Sequence, residues 1–492
     1  MVSNKEGGIT IDRNSELIFQ AEQSVSKYKE VVNQDPYRLH FHLMPPVGLL
    51  NDPNGFIQWQ GRYHLFYQWN PFKTAHGAKF WGHYSSSNLV DWQEEKIALA
   101  PSEWFEKNGC YSGSAIDDKG ILKLFYTGNV KVEKGNRETY QCLAESMNGI
   151  DFLKKGVVLN LPEGYTAHFR DPKVWKHKDK WYMVIGAQSK QLEGRAVLFS
   201  SETLEDWLLI GDVAGTNING LENFGYMWEC PDLFHLKGKE VLLVSPQGLQ
   251  PEGMLYHNVY NTGYFIGTLN YETGGLEHGD FEELDRGFEF YAPQTTEDDQ
   301  GRRLLFGWMG VPEQDEDKHP TIPYHWVHCM TIPRELKLVN GRLYQQPVEE
   351  LQALRKNQVS LENVLIQDDQ PFTNLDGIAY ELQMDTHEIK ADILEITIKD
   401  CVHLAYNKKE QIFTLERKSL ATGEPEIRQC KLNHLDKVRF FVDTSSIEIF
   451  LNDGQEVFTA RMFPIVENNA ISFKVRNGKV TSSIQKWDLD QQ

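Results

Sequence analysis

An all-β chain is predicted, a five-bladed β-propeller followed by a C-terminal β-sandwich, and three features of the sequence predict it. A turn-and-strand unit recurs five times about sixty residues apart, plain apolar/polar alternation takes over where that period stops, and one stretch alone carries helical spacing.

The helical stretch comes first. In 15–31, "SELIFQAEQSVSKYKEV", apolar residues fall at helical spacing and the pattern stops before Pro36, so residues 1–35 are expected to form an N-terminal helical segment. The repeats fill 36–345. They read "GRYHLFYQW" from Gly61, "KGILKLFYTG" from Lys119, "DKWYMVIGA" from Asp179, "GKEVLLVSP" from Gly238 and "GRRLLFGWM" from Gly301. Each is a polar turn followed by a dense run of β-formers. Anchored on Tyr63, Ile121, Trp181, Val241 and Leu304, the spacings are 58, 60, 60 and 63 residues. A β-rich unit that cannot bury its own apolar face stacks against its neighbours, and such stacks close as propellers, here of five blades. Residues 346–360, which run into "LQALRKNQVSLENV" from Leu351, are expected to be a helical or irregular linker. Residues 361–492 alternate as a sandwich does, with Asn452-Asp453-Gly454 as a hairpin turn.

Composition narrows the partners. The 492 residues carry 50 Lys+Arg against 70 Asp+Glu, a formal charge of −20, which argues against nucleic acid or an anionic membrane surface. The N-terminal twenty residues show neither a basic and apolar leader nor a small-residue cleavage site, and no window approaches a membrane span, so a cytoplasmic protein is expected. Six cysteines are scattered without C-x-x-C spacing, which predicts reduced thiols and no zinc site.

About ten residues before each anchor lies the preceding, inner strand of each blade: "LLNDPNGFI", "GCYSGSAI", "FRDPKVW", "MWECPDLF" and "FYAPQTT". Three of these present an acid. Asp52 lies 11 residues before its anchor, Asp171 10 and Glu229 12. Singly, Asp52 suits a β-turn, Arg170-Asp171 an ion pair and Glu229 a paired buried carboxylate. Equivalent placement in three repeats instead brings them to one axial funnel. Carboxylates flanking one bond are the chemistry of glycoside hydrolysis, in which one protonates the leaving oxygen and another attacks or activates water. Trp228 and the apolar run around Glu229 are expected to desolvate it and keep a proton on it, while Asp52, in a turn rich in donors, stays ionised. Alternation sends Asp232 to the opposite face. There is no G-x-S-x-G, P-loop or H-E-x-x-H motif, and prolines beside Asp52 and Asp171 suit calcium poorly, so neither metal nor cofactor is expected. His40 and His42, flanking Phe41, read as structural or rim residues.

The blocks "HLMPPVGLLNDPNGFI", "YHLFYQWNPF", "WGHYSS", "YSGSA", "FRDPKV", "WECPDLF" and "YAPQT" with "GRRLLFGWM" resemble glycoside hydrolase family 32, the β-fructofuranosidases, from about His40 to the C-terminus. The resemblance implies a five-bladed propeller with a sandwich, and a retaining hydrolysis of sucrose or sucrose-6-phosphate without cofactor. It further implies Asp52 as nucleophile, Glu229 as acid/base and Asp171 as transition-state stabiliser. Asn51, Gln68, Trp81, Tyr111, Ser112, Arg170 and Trp308 would then line the sugar pocket, with fructo-oligosaccharides as further candidate substrates. By the same analogy Cys230 helps tune the neighbouring acid. His76 stands where many invertases carry Trp, and Lys73, His76 and Lys79 are the cations expected to meet a phosphate on the glucosyl C6. Two rivals remain at this level: a five-bladed inverting glycosidase of arabinans or xylosides, and a non-catalytic sugar-binding propeller.

Overall fold

The computed structural model describes residues 12–490. Its helix runs Arg13–Asn33, capped by Asp12, whose side chain accepts the Ser15 N–H at 3.1 Å. This bears out the helical expectation for 15–31; residues 1–11 of the expected segment lie outside the described residues.

Between Gly48 and Pro347 the chain builds five sheets in sequence order, joined within each sheet by antiparallel neighbours. Their first strands are Gly48–Trp59, Cys110–Asp118, Tyr165–His177, Met227–Leu236 and Tyr291–Glu297. All five sequence anchors fall on, or at the start of, the second strand of a sheet. That strand is the most apolar because it is covered on both faces: Lys180–Ser189, for example, is buried from Trp181 to its end. The first strands touch one another in a closed circuit, with Gly48–Trp59 packed on both Cys110–Asp118 and Tyr291–Glu297. A short parallel strand, Trp326–Val327, docks onto Gly48–Leu49 and joins the last of these sheets to the first.

Two six-stranded sheets follow and enclose an apolar core that includes Leu382, Ile396, Leu404, Phe440, Ile449 and Phe473. The turn at Asn452–Gly454 joins Ser446–Leu451 to Glu456–Arg461, with left-handed φ at all three residues. The expected linker is corrected. A 3-10 turn covers Glu349–Leu354, but Arg355–Ile366 is already a strand paired with Lys479–Leu489. Val359 and Leu361 pack on the core of these sheets, an apolar alternation that the reading of "RKNQVSLENV" as helical or irregular overlooked.

Candidate active site

All five first strands lose register at the same level: between Leu50 and Pro53, Tyr111 and Gly113, Arg170 and Lys173, Glu229 and Asp232, and Tyr291 and Gln294. A bulge interrupts the ladder and re-aims side chains, and proline is tolerated there because no N–H is required. Pro53, Pro172, Pro231 and Pro293 occupy four of the five. In the second strand Gly113 stands instead, where a Cβ would lie 1.9 Å from the Phe125 carbonyl oxygen. Asp171, Cys230 and Ala292 hold φ of 70°, 47° and 48°, a conformation that non-glycine residues adopt at a cost of roughly 1–3 kcal/mol each.

These bulges bring the three carboxylates together. Asp52 accepts the Ser112 hydroxyl on Oδ2 at 2.5 Å and the Asn51 amide on Oδ1 at 3.0 Å. Asp171 accepts the Cys230 N–H on Oδ2 at 3.0 Å, while its own N–H donates to Thr127 Oγ1 at 3.0 Å. The Cys230 sulfur lies 3.8 Å from Asp52 Oδ2 and 3.6 Å from Asp171 Oδ2, so one thiol touches two of the acids. Glu229 Oε1 receives Arg170 through Nε at 2.9 Å and Nη2 at 2.6 Å. Its Oε2 receives Gln247 Nε2 and the Tyr291 hydroxyl, each at 2.7 Å.

The environments differ from those expected. Trp228 points away from the funnel: it is wholly buried, donates its indole N–H to the Phe224 carbonyl and stacks on Phe265. Glu229 is therefore framed by hydrogen-bond donors, not by an apolar jacket. Burial raises the pKa of Asp52, against the Ser112 and Asn51 bonds that favour its ionised form. Burial also pushes Asp171 up to about 7; Arg170 opposes the rise, and the charges of Glu229 and Asp52 reinforce it. Asp232 is elsewhere, paired with Lys173 at 3.0 Å.

A cavity of about 340 Å³, within the range of small-ligand sites, is lined by the three acids together with Asn51, Gln68, His76, Tyr111, Ser112, Arg170 and Trp308. Trp81 is not on its wall. Fully buried, it donates its indole N–H to the Tyr111 carbonyl at 3.1 Å and so supports the strand that carries Tyr111 and Ser112. The expected cation cluster is also corrected. Lys73 is exposed and outside the cavity. Lys79 is buried, donating to Asn51 Oδ1 at 2.6 Å and meeting His76 Nδ1 at 2.9 Å, and burial pulls its pKa down to about 7. His76 Nε2 pairs in turn with Glu316 at 3.0 Å. Lys79 thus fixes Asn51, and through it Asp52. The sequence reading missed Gln247 and Tyr291. Tyr291 precedes Ala292-Pro293 as Glu229 precedes Cys230-Pro231, so aligning the prolines of the repeats would have found it. His42 is structural, buried between Asp443 at 2.8 Å and Glu448 at 3.0 Å.

Residues 42–347 match the glycosyl hydrolases family 32 N-terminal domain, and residues 350–488 match the C-terminal domain of that family. The chain is 53% identical over 485 residues to a sucrose-6-phosphate hydrolase of Bacillus subtilis, covering 97% of this chain and 99% of that one. Among solved structures it is similar to the sucrose-6-phosphate hydrolase from Lactobacillus gasseri, with a TM-score of 0.86, 32% identity, and coverage of 95% and 96%. It is also similar to a mutant of the Bombyx mori family 32 β-fructofuranosidase in complex with sucrose, with a TM-score of 0.83, 35% identity, and coverage of 97% and 99%.

Proposed function

This chain belongs to glycosyl hydrolase family 32, and on that premise we propose that it is a retaining β-fructofuranosidase cleaving sucrose and sucrose-6-phosphate. The five sheets between Gly48 and Pro347 are then the blades of a propeller whose first strands surround the funnel, and the two six-stranded sheets are a sandwich domain. The domain boundaries follow the matched families, near residue 347.

The observation that carries the reading is the separation of two carboxylates by their partners on one cavity. Asp52 is held through Ser112 and Asn51 on the cavity wall, oriented as a nucleophile requires. Glu229 is held on both oxygens by Arg170, Gln247 and Tyr291. In the first step Asp52 bonds to the fructosyl anomeric carbon as the bond to the bridging oxygen breaks, and that oxygen takes the proton of Glu229. In the second step water gives a proton to Glu229 and its oxygen attacks the same carbon, freeing Asp52. Asp171 faces the fructosyl hydroxyls, and Trp308, Gln68 and Asn51 close the pocket around the sugar.

All six cysteines are free thiols, as a reducing compartment would keep them. We place the enzyme in the cytoplasm, where a sugar phosphate stays once formed. The test is product analysis on sucrose and sucrose-6-phosphate with the anomer followed by NMR. β-Fructofuranose should appear first, and Asp52→Ala should lower turnover more than about a thousandfold. First appearance of the α-anomer would mean inversion, and an Asp52→Ala enzyme with unchanged turnover would mean that this site is not the catalyst.

A further inference from the structure

Two cations on the cavity wall remain unassigned. Lys131 ends the strand Ile121–Lys131, Arg137 begins Arg137–Ser146, and the two residues are directly opposite in the antiparallel ladder of this hairpin. Both side chains line the cavity that holds the carboxylates. Like charges placed directly opposite destabilise a hairpin. Among the described residues neither side chain has a hydrogen-bond or acidic partner, in a chain whose net charge of −20 offers acids freely. The Lys131 backbone is nonetheless fixed, its N–H donating to Asn108 Oδ1 at 2.7 Å. A like-charged pair on the wall of a ligand cavity, exposed at Lys131 and half-buried at Arg137, is what an anion shared between the two would explain.

The level of the pair fits one part of the substrate. Thr127, on the same strand as Lys131, accepts the Asp171 N–H and so marks the depth of the carboxylates. Lys131 lies four residues further along, or about 13 Å toward the rim. Arg137 stands opposite Lys131 at that same level, and its charge reaches back toward the acids, being felt by Tyr111 and by His168, which touches Arg170 at 3.1 Å. Arg170 holds Glu229, the acid on the leaving-group side. A second hexose seated against Glu229 therefore extends along this wall. The other rim is acidic, with Glu313 on the lining and Glu316 committed to His76 and His328. Those acids would repel a phosphate, and Lys79 and His76 are already engaged with Asn51 and Glu316.

We propose that Lys131 and Arg137 form the subsite for the 6-phosphate of the leaving glucosyl unit and set the preference for the phosphorylated disaccharide. This rests on the β-fructofuranosidase reading above. Arg137 offers a planar fork and Lys131 a point charge, a combination suited to three phosphate oxygens.

The experiment is kcat/KM on sucrose and on sucrose-6-phosphate for the full chain and for a Lys131→Gln/Arg137→Gln double variant. The wild type should prefer the phosphorylated sugar, and the double variant should lose at least about thirtyfold of that ratio, as two charge-assisted contacts predict. A Lys131→Arg/Arg137→Lys variant should keep most of the preference, and raised salt should erode it. Glucose-6-phosphate should inhibit the wild type more than glucose does, and the double variant should not distinguish them. The proposal is overturned if the ratio is unchanged in the double variant, or if it is lost instead in Lys73→Gln/His76→Gln. A wild type that cleaves both sugars equally overturns this subsite and leaves the glycosidase reading intact. A wild type that cleaves neither overturns that reading, and the subsite falls with it.

Discussion

His42 ties the strand bearing Asp52 to the C-terminal sheets, and its titration should be visible in the stability of the whole chain. Its Nδ1 lies 2.8 Å from Asp443 and its Nε2 3.0 Å from Glu448, so both nitrogens face carboxylates and both must carry protons. The two acids also receive the chain around it: Asp443 takes the His40 and Phe41 N–H groups, and Glu448 takes Ile332 N–H and Arg334. These partners outweigh burial and lift His42 from 6.5 to about 8. A histidine raised in the fold contributes stability that is complete below its unfolded value, near 6.5, and is lost as pH rises through about 8. At about 1.4 kcal/mol per pH unit, the loss is about 2 kcal/mol. Unfolding entropy of about 2.1 cal/mol/K per residue over 492 residues gives about 1 kcal/mol/K, so Tm should fall by about 2 °C between pH 6 and 9. Buried Lys79, lowered to about 7, and Lys399, lowered to about 8, run the opposite way, since their neutral forms suit the fold as pH rises. The quantity to measure is therefore the difference in Tm between wild type and His42→Gln by scanning calorimetry at each pH. It should shrink by about 2 °C from pH 6 to 9. A difference that stays constant across that range would refute a charged His42.

Three further outcomes follow from the funnel. Glu229→Gln should keep the fold and lower sucrose turnover by about 10²–10⁴, the usual weight of a general acid; an unchanged rate in steady-state assays would break the assignment. Tyr291→Phe removes one of the donors to Glu229 Oε2, and kcat should fall by about tenfold to a hundredfold, as loss of a charge-assisted bond implies. Ser112→Ala removes a bond that favours ionised Asp52, so the acid limb of the kcat/KM pH profile should move to higher pH, and a limb that stays or falls would remove Ser112 from that role.

The period of about sixty residues located the five sheets because the second strand of each is buried on both faces and must be written in β-formers. The same reasoning failed at Arg355–Ile366. That strand shows a polar face to solvent, and its alternation is diluted by Asn357 and Gln358, which sit where its register breaks. Convergence of Asp52, Asp171 and Glu229 was legible because position within a repeat maps to position around a ring. What surrounds each acid was not. Trp228 adjoins Glu229 in sequence yet faces the opposite side of the strand, whereas Arg170, Gln247 and Tyr291 reach it from three other strands. Pairing between strands distant in sequence or on other sheets leaves no local trace, and so the expected apolar jacket proved to be a set of donors. Lys79 shows the same limit: in "AHGAKFWGH" it looks like a loop cation, and only the fold buries it against Asn51.

The bulges explain why the acids need so little space to coexist. In a regular strand, neighbouring residues face opposite sides, so Arg170 and Asp171 could not both line one funnel; the break between Arg170 and Lys173 allows it. The left-handed φ of Asp171, Cys230 and Ala292 is the local cost of that re-aiming. It is sustained by a closed circuit of strands in which no single sheet can relax alone, so the carboxylates are held in position before any ligand arrives, which on the proposed reading spares reorganisation during the reaction. Cys230 sits where this strain meets the acids. Its N–H fixes Asp171, and its thiol, held far above the usual range by burial and by Asp171, Asp52 and Glu229, stays protonated between two acids. Protonated, it adds no further negative charge beside the three carboxylates of the funnel, as another acid in its place would.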